Sequence, residues 1–286
     1  VIAEPIITIY GPGLLGGSLA LALQQQMPQS KLRLWARRKA AAQGILDRGI
    51  QAEFYTDATA AAVGASLIIL CTPVETMAAL AQQIIQAELA SDCIITDVGS
   101  VKGSVVQALW PILGNRFIGS HPMAGSEKTG IEAARVDLFQ NAVCLITPSV
   151  EAPSQALSRL RGFWQTLGCR VLEMSSEEHD VKVARISHLP HMMAAITTLA
   201  ALRTDPEAVT CVANGFRDTT RVAGGDPGLW TGIALENRPA ILAQLQTASD
   251  TLTELLEILR KPDEEELRRF LAEAQSLRRT VPAAVS

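Results

Sequence analysis

The stretch IITIYGPGLLGGSLALAL, residues 6–23, constrains the fold of this chain more than any other. A β-rich run ends at Tyr10, three glycines follow at Gly11, Gly13 and Gly16, and a segment with helical spacing begins at once. Gly11 suits a tight turn that needs a positive φ, Gly13 lets a ligand approach the backbone, and Gly16 permits close packing of helix on strand. A lone G-x-G-x-x-G says little, but between a strand and a helix it predicts a cradle for a pyrophosphate at a helix N-terminus. Leu14 and Leu15 complete the turn, and Pro12 stands where most such turns carry another residue.

The pattern continues to about Thr147. Runs reading KLRLWA, SLIILC, CIITDV, RFIGS and AVCLIT alternate with stretches of helical spacing. Apolar strands separated by helices predict a parallel sheet covered on both faces, a Rossmann-like doubly wound α/β domain. About 20 residues beyond the glycines, the carboxylate expected for an NAD ribose is missing. Ala36 stands there, followed by Arg37 and Arg38. Guanidinium groups pair with a 2′-phosphate, so NADP is expected over NAD, with NAD possible.

After TPSVEAP the character changes to helical. Ser175–Glu178 has the capping-box form, a helix start is expected at Pro190, and CRVLEM is the last strand candidate. Leu242, Leu245, Leu252, Leu255, Leu256 and Leu259 form a stripe that serves either a core or a subunit seam. The expected division is a dinucleotide-binding domain over residues 1–150, with an alternative end at about 174, and an all-α substrate and dimerisation domain over 151–286. A loose tail is expected from about 279.

A net charge of −4 gives no electrostatic reason to expect nucleic acid or an anionic membrane as partner. No apolar run approaches the roughly 18 residues of a membrane span, and the first residues read as no signal peptide. The five scattered cysteines suit a reduced, cytoplasmic setting. The four histidines lack metal-ligand spacing, so no metal is expected.

Ligands of such sheets bind beyond the carboxyl ends of the strands. Three polar segments are expected there: CTPVET, which places Thr72 and Pro73 near a nicotinamide, TDVGSVK, and GSHPMAGSEKTG. Preceded by GPGLLG and followed by SHLPH and GFRDTTRVAGGDPGLW, they resemble the prephenate/arogenate dehydrogenases of tyrosine biosynthesis. The likeness runs from about Ile6 to Leu259, and its most specific part is DVGSVK followed by HPMAG.

The resemblance implies NAD(P)-dependent oxidative decarboxylation of prephenate or arogenate by a homodimer. It implies His121 as the base for the ring hydroxyl, with Ser100 beside it and in reach of the cofactor. It implies Arg221 as the substrate-carboxylate ligand, with Arg217 competing, and Trp230 as a pocket wall. His191 and Ser187 are expected as substrate-side hydrogen-bonding groups, His191 with a pKa lowered by a helix dipole. Glu127 and Asp218 are candidates to meet an ammonium or to hold Arg221. The roles of His188 and Lys102 stay open, and His179, read as part of a solvated acidic helix, is given none. Two other readings remain: a β-hydroxyacid or 6-phosphogluconate-type dehydrogenase using Lys182, and a non-catalytic NADPH-sensing dimer.

Overall fold

The structure, a computed structural model, describes residues 5–126, 128–261 and 263–282. Five parallel strands form the first sheet: β1 (Ile6–Tyr10), β2 (Lys31–Trp35), β3 (Glu53–Tyr55), β4 (Leu67–Leu70) and β5 (Ile94–Asp97). Their order is β3-β2-β1-β4-β5, so the chain reverses direction across the sheet at β1 and β4. That reversal opens a crevice at the carboxyl ends of these two strands. The crossovers carry α1 (Leu14–Gln26), α2 (Ala41–Asp47), α3 (Ala58–Ala62) and α4 (Val74–Ile84). Ile9, Leu34 and Ile69 are fully buried under these helices. Each such side chain contributes about 1.5–3 kcal/mol through its burial. Strand β3, with its short EFY sequence, has no periodicity to announce it and was not expected.

One continuous sheet was expected, and here the structure differs. After α5 (Gly103–Leu113) the chain enters β6 (Gly119–Pro122), which starts a second sheet in the order β6-β7-β8. Strand β7 (Val143–Thr147) runs antiparallel to β6, and β8 (Arg170–Glu173) parallel to β7. Among the described residues one isolated β-bridge, Ile95 to Phe117, joins the two sheets, beside side-chain contacts between β5 and β6. Helix α6 (Ser154–Thr166) covers the second sheet and buries Trp164, which packs on Phe139 with ring centroids 5.9 Å apart. The last strand of the α/β part, β8, ends at Glu173.

The remainder is helical, and the expected break at Pro190 is absent. Helix α7 (Ser176–Val183) is capped by Ser175, whose side chain accepts from the Glu178 N–H. It passes through one π turn, Ala184–His188, directly into α8 (Leu189–Leu202). Further on come α9 (Asn214–Thr220), α10 (Pro227–Glu236), α11 (Arg238–Arg260) and α12 (Glu264–Arg279). Helix α12 reaches to the point where the loose tail was expected to begin, and the last four residues lie outside the described set. In the single chain Leu242, Leu252, Leu256 and Leu259 of α11 are exposed, while Ile241 and Ile258 are buried. Among the described residues no helix is long and apolar enough to cross a membrane.

Candidate active site

The glycine turn at the carboxyl end of β1 has the shape its sequence requires. Gly11 adopts φ +97°, and a Cβ there would lie 2.9 Å from the Cys71 carbonyl oxygen. A Cβ on Gly16 would lie 2.2 Å from the Gly11 carbonyl oxygen, so only glycine lets α1 pack this closely. A Cβ on Gly13 would meet nothing within 4 Å, which leaves open space on the ligand side. Neither a side-chain cap nor an acidic residue occupies the first turn of α1, so Leu14, Leu15 and Gly16 offer amides at a positive dipole end. Next to this turn, the buried Thr72 hydroxyl has no hydrogen-bond partner. These features fit the pyrophosphate of a dinucleotide. Arg37 and Arg38 are exposed in the turn after β2, where no carboxylate follows Trp35. Pro73 precedes the first turn of α4, beside the same crevice.

A second group of polar residues joins β5, β6 and α7. Asp97, at the end of β5, pairs with Lys102 in a fully buried salt bridge. The oxygen in that bridge, Oδ2, also accepts the Gly99 amide at 2.8 Å, while Oδ1 accepts the Ser120 amide at 3.2 Å. Because the Lys102 stem crosses under β6, a Cβ on Gly119 would lie 3.2 Å from it and 2.5 Å from the Thr147 hydroxyl oxygen. The pair fixes the turn that carries Ser100, which is half-buried between β5 and α5.

His121 lies within β6 and not in a loop beyond it, opposite Leu145 of β7. Its Nδ1 is 2.9 Å from Nε2 of His179. His179 is fully buried, with its Nδ1 2.8 Å from Oδ1 of Asp180. This overturns the solvated reading of His179. Asp180 also accepts the amides of Lys102 and Gly103, both at 2.8 Å, so α7 caps the N-terminus of α5.

Those contacts fix the tautomers. Hydrogen bonds from His179 and the two amides hold the Asp180 carboxyl below its usual range, against the opposing effect of burial. An ionised carboxylate only accepts, so His179 carries its proton on Nδ1 and presents a lone pair at Nε2. His121 must then donate from Nδ1, which leaves the lone pair on its own Nε2. Burial, and after it His179, Lys102 and His188, hold the His121 pKa well below the ordinary imidazole range. A neutral imidazole with an unshared lone pair is thereby set in the strand.

All four histidines of the chain come to this region. His191 stacks on Trp230 with centroids 3.5 Å apart and 12° between planes, and His188 meets the same ring edge-on at 6.1 Å. The expected dipole effect on His191 is absent, because the helix runs on through the π turn and leaves no free N-terminus. Burial lowers its pKa instead, opposed by a hydrogen bond to the Val222 backbone. Thus α8 packs against the 3₁₀ turn Arg221–Gly224 that begins with Arg221. Ser187 is half-buried in the π turn, while Arg217 and Asp218 are exposed on α9. Glu127 lies outside the described residues. Lys182 is exposed and pairs with Glu178 at 3.2 Å, as a surface residue does. Asn237, unremarked in the sequence, is buried between α10 and α11 against Asp180 and His188.

Both halves of the chain are similar to known proteins. Residues 19–173 match the family model "Prephenate dehydrogenase, nucleotide-binding domain", and residues 175–273 match "Prephenate dehydrogenase, dimerization domain". Cyclohexadienyl dehydrogenase of Zymomonas mobilis is 34% identical over 95% of this chain and 94% of its own length. Prephenate dehydrogenase of Bacillus subtilis is 32% identical over 96% of this chain and 76% of its own length. The solved structure of Aquifex aeolicus prephenate dehydrogenase with hydroxyphenyl propionate and NAD+ superposes with a TM-score of 0.90, at 30% identity, covering 98% of this chain and 99% of that one. Synechocystis arogenate dehydrogenase gives 0.82 at 31% identity, covering 96% and 99%. The chain belongs to the prephenate dehydrogenase family.

Proposed function

We propose that this protein oxidatively decarboxylates prephenate or arogenate, with His121 as the base and NADP as the preferred cofactor. The observation that carries the catalytic reading is the hydrogen-bonded series Asp180–His179–His121, which leaves a lone pair on His121 Nε2. When bound, the nicotinamide accepts a hydride from C4 of the cyclohexadiene ring.

His121 Nε2 takes the proton of the C4 hydroxyl as the ketone forms. The charge it gains is balanced by Asp180 through His179, so the imidazolium is less costly than burial alone would make it. Ser100 hydrogen-bonds the same hydroxyl from the turn held by the Asp97–Lys102 pair. Arg221 grips a substrate carboxylate, and His191, stacked on Trp230, holds the ligand on that side with Ser187. The ring carboxylate then leaves as CO₂, and its bonding electrons complete the aromatic ring. General-base action of this type contributes about 10²–10⁴-fold.

The preference for NADP rests on Ala36, Arg37 and Arg38. Glu127 and Asp218 are the residues through which prephenate and arogenate are told apart. A homodimer through the α11 leucines agrees with their exposure in the single chain, and residue 174 divides the cofactor half from the substrate half. The decisive experiment crosses both substrates with both cofactors and follows reduced nicotinamide by absorbance. Oxidation of neither substrate with either cofactor would refute the reading.

A further inference from the structure

Asn237 lies at the junction of α10 and α11, with 3% of its surface exposed, and belongs to none of the motifs discussed above. Its side-chain Nδ2 makes two contacts. It donates to the Asp180 carbonyl oxygen at 2.9 Å and faces Nδ1 of His188 at 3.2 Å. The first contact decides which way the amide points, since a carbonyl oxygen can only accept and the Asn237 oxygen could not serve there. The second N–H of the same nitrogen is then aimed at His188. For that contact to be a bond, His188 Nδ1 must present a lone pair, and the proton of the neutral ring must sit on Nε2.

His188 is 1% exposed, and its Nε2 is buried without a hydrogen-bond partner. The edge-on contact with Trp230 supplies at most a weak N–H···π interaction. Buried donors in folded proteins are nearly always satisfied, so this orphan, set against Trp230 on the side assigned above to the substrate, marks a place for a ligand acceptor. Burial lowers the His188 pKa to about 4, so the ring is a neutral donor at neutral pH.

We propose that Asn237 is a positioning residue that locks His188 in the Nε2–H tautomer, and that this N–H binds a carboxylate oxygen of the substrate. The inference rests on the dehydrogenase reading for its ligand, though not for its tautomer. A neutral donor suits this task in a decarboxylating enzyme. It orients an anion without the strong charge pairing by which a cation would resist the loss of that anion as CO₂.

The test uses the near-isosteric Asn237→Asp variant of the full chain. A carboxylate at 237 accepts and does not donate, so it draws the His188 proton to Nδ1. With ¹⁵N-histidine labelling only four rings report, and His188→Gln assigns the ring in question. Long-range ¹H–¹⁵N spectra of the wild type should show a protonated Nε2 on His188, and those of Asn237→Asp a protonated Nδ1. The KM for prephenate or arogenate should rise about 10- to 100-fold, as expected for a lost hydrogen bond to a charged group. The kcat should stay within a few-fold, and the affinity for NADPH should be unchanged, which also reports an intact fold. In a His188→Gln background, whose amide supplies a donor independent of tautomer, Asn237→Asp should add nothing further. The same tautomer in wild type and Asn237→Asp, or an unchanged KM, would overturn the proposal. If the wild type oxidises neither substrate while His188 keeps its proton on Nε2, the activity reading falls and the tautomer assignment stands.

Discussion

Replacing Asp180 with asparagine tests the relay at its anchor. The carboxylate serves three donors at 2.8 Å: His179 Nδ1 and the Lys102 amide on Oδ1, and the Gly103 amide on Oδ2. An asparagine has one acceptor oxygen, so it fails on one side whichever way it turns. If its oxygen faces His179 and Lys102, its NH₂ meets the Gly103 N–H and a buried donor is lost, at a cost of about 1–3 kcal/mol. The tautomers survive, but the anion that balances a protonated His121 is gone. The contacts of 2.8 and 2.9 Å, with about 2.2 Å across the imidazole, put that anion at most about 8 Å from His121. At an effective dielectric of about 20 this removes about 2 kcal/mol, or about thirty-fold in rate. If the amide turns the other way, His179 must protonate Nε2 and His121 must protonate its own Nε2. The base is then lost, and the fall approaches the 10²–10⁴-fold worth of general-base catalysis. We therefore expect kcat to drop by about thirty-fold or more at neutral pH, measured from reduced nicotinamide at saturating substrate and cofactor. Affinity for NADPH should be unchanged and the melting temperature a few degrees lower. A kcat within threefold of wild type, in a folded variant, would refute the relay.

Four further outcomes are expected. The pKa values of His121, His179, His188 and His191 are all lowered by burial, so kcat/KM should stay level down through pH 6.5 and fall only in more acidic solution. A fall already complete at pH 6.5 would exclude a depressed base. The same shifts act on stability: the unfolded chain binds protons below about pH 6.5 that the folded histidines refuse, so stability is full above that pH and lost as pH falls toward 4. His188 alone, shifted from 6.5 to about 4, removes about 3 kcal/mol across this window, seen as a falling urea midpoint. Arg37→Ala with Arg38→Ala should raise the KM for NADP at least tenfold and leave that for NAD nearly unchanged; equal effects on both would deny them the 2′-phosphate. Leu252→Glu with Leu256→Glu, on the exposed stripe of α11, should turn a dimer into a monomer by sedimentation, and a dimer that persists would place the seam elsewhere.

Local geometry was legible in the sequence, and contacts between distant elements were not. The glycine turn could be read because each glycine answers to atoms within a few residues or one strand away: Gly16 to the carbonyl of Gly11, and Gly11 to that of Cys71. Ser175 as a cap was readable for the same reason. His179 was misread because Glu177, Glu178 and Asp180 surround it, and helix neighbours in sequence do not share a face. The available signal was its spacing to Val183, four residues on, which places both on the buried face of α7. The π turn could not be found by any 3.6-residue period, since its wider turn shifts the phase of every following side chain. That shift brings His188 and His191 against Trp230 while α7 keeps His179 on His121. Asn237 looks like punctuation before Pro239, yet it links the carbonyl of one active-site residue to the ring of another. The sequence thus exposes the groups that touch a ligand, whereas the residues that fix their protons are found only where separate helices meet.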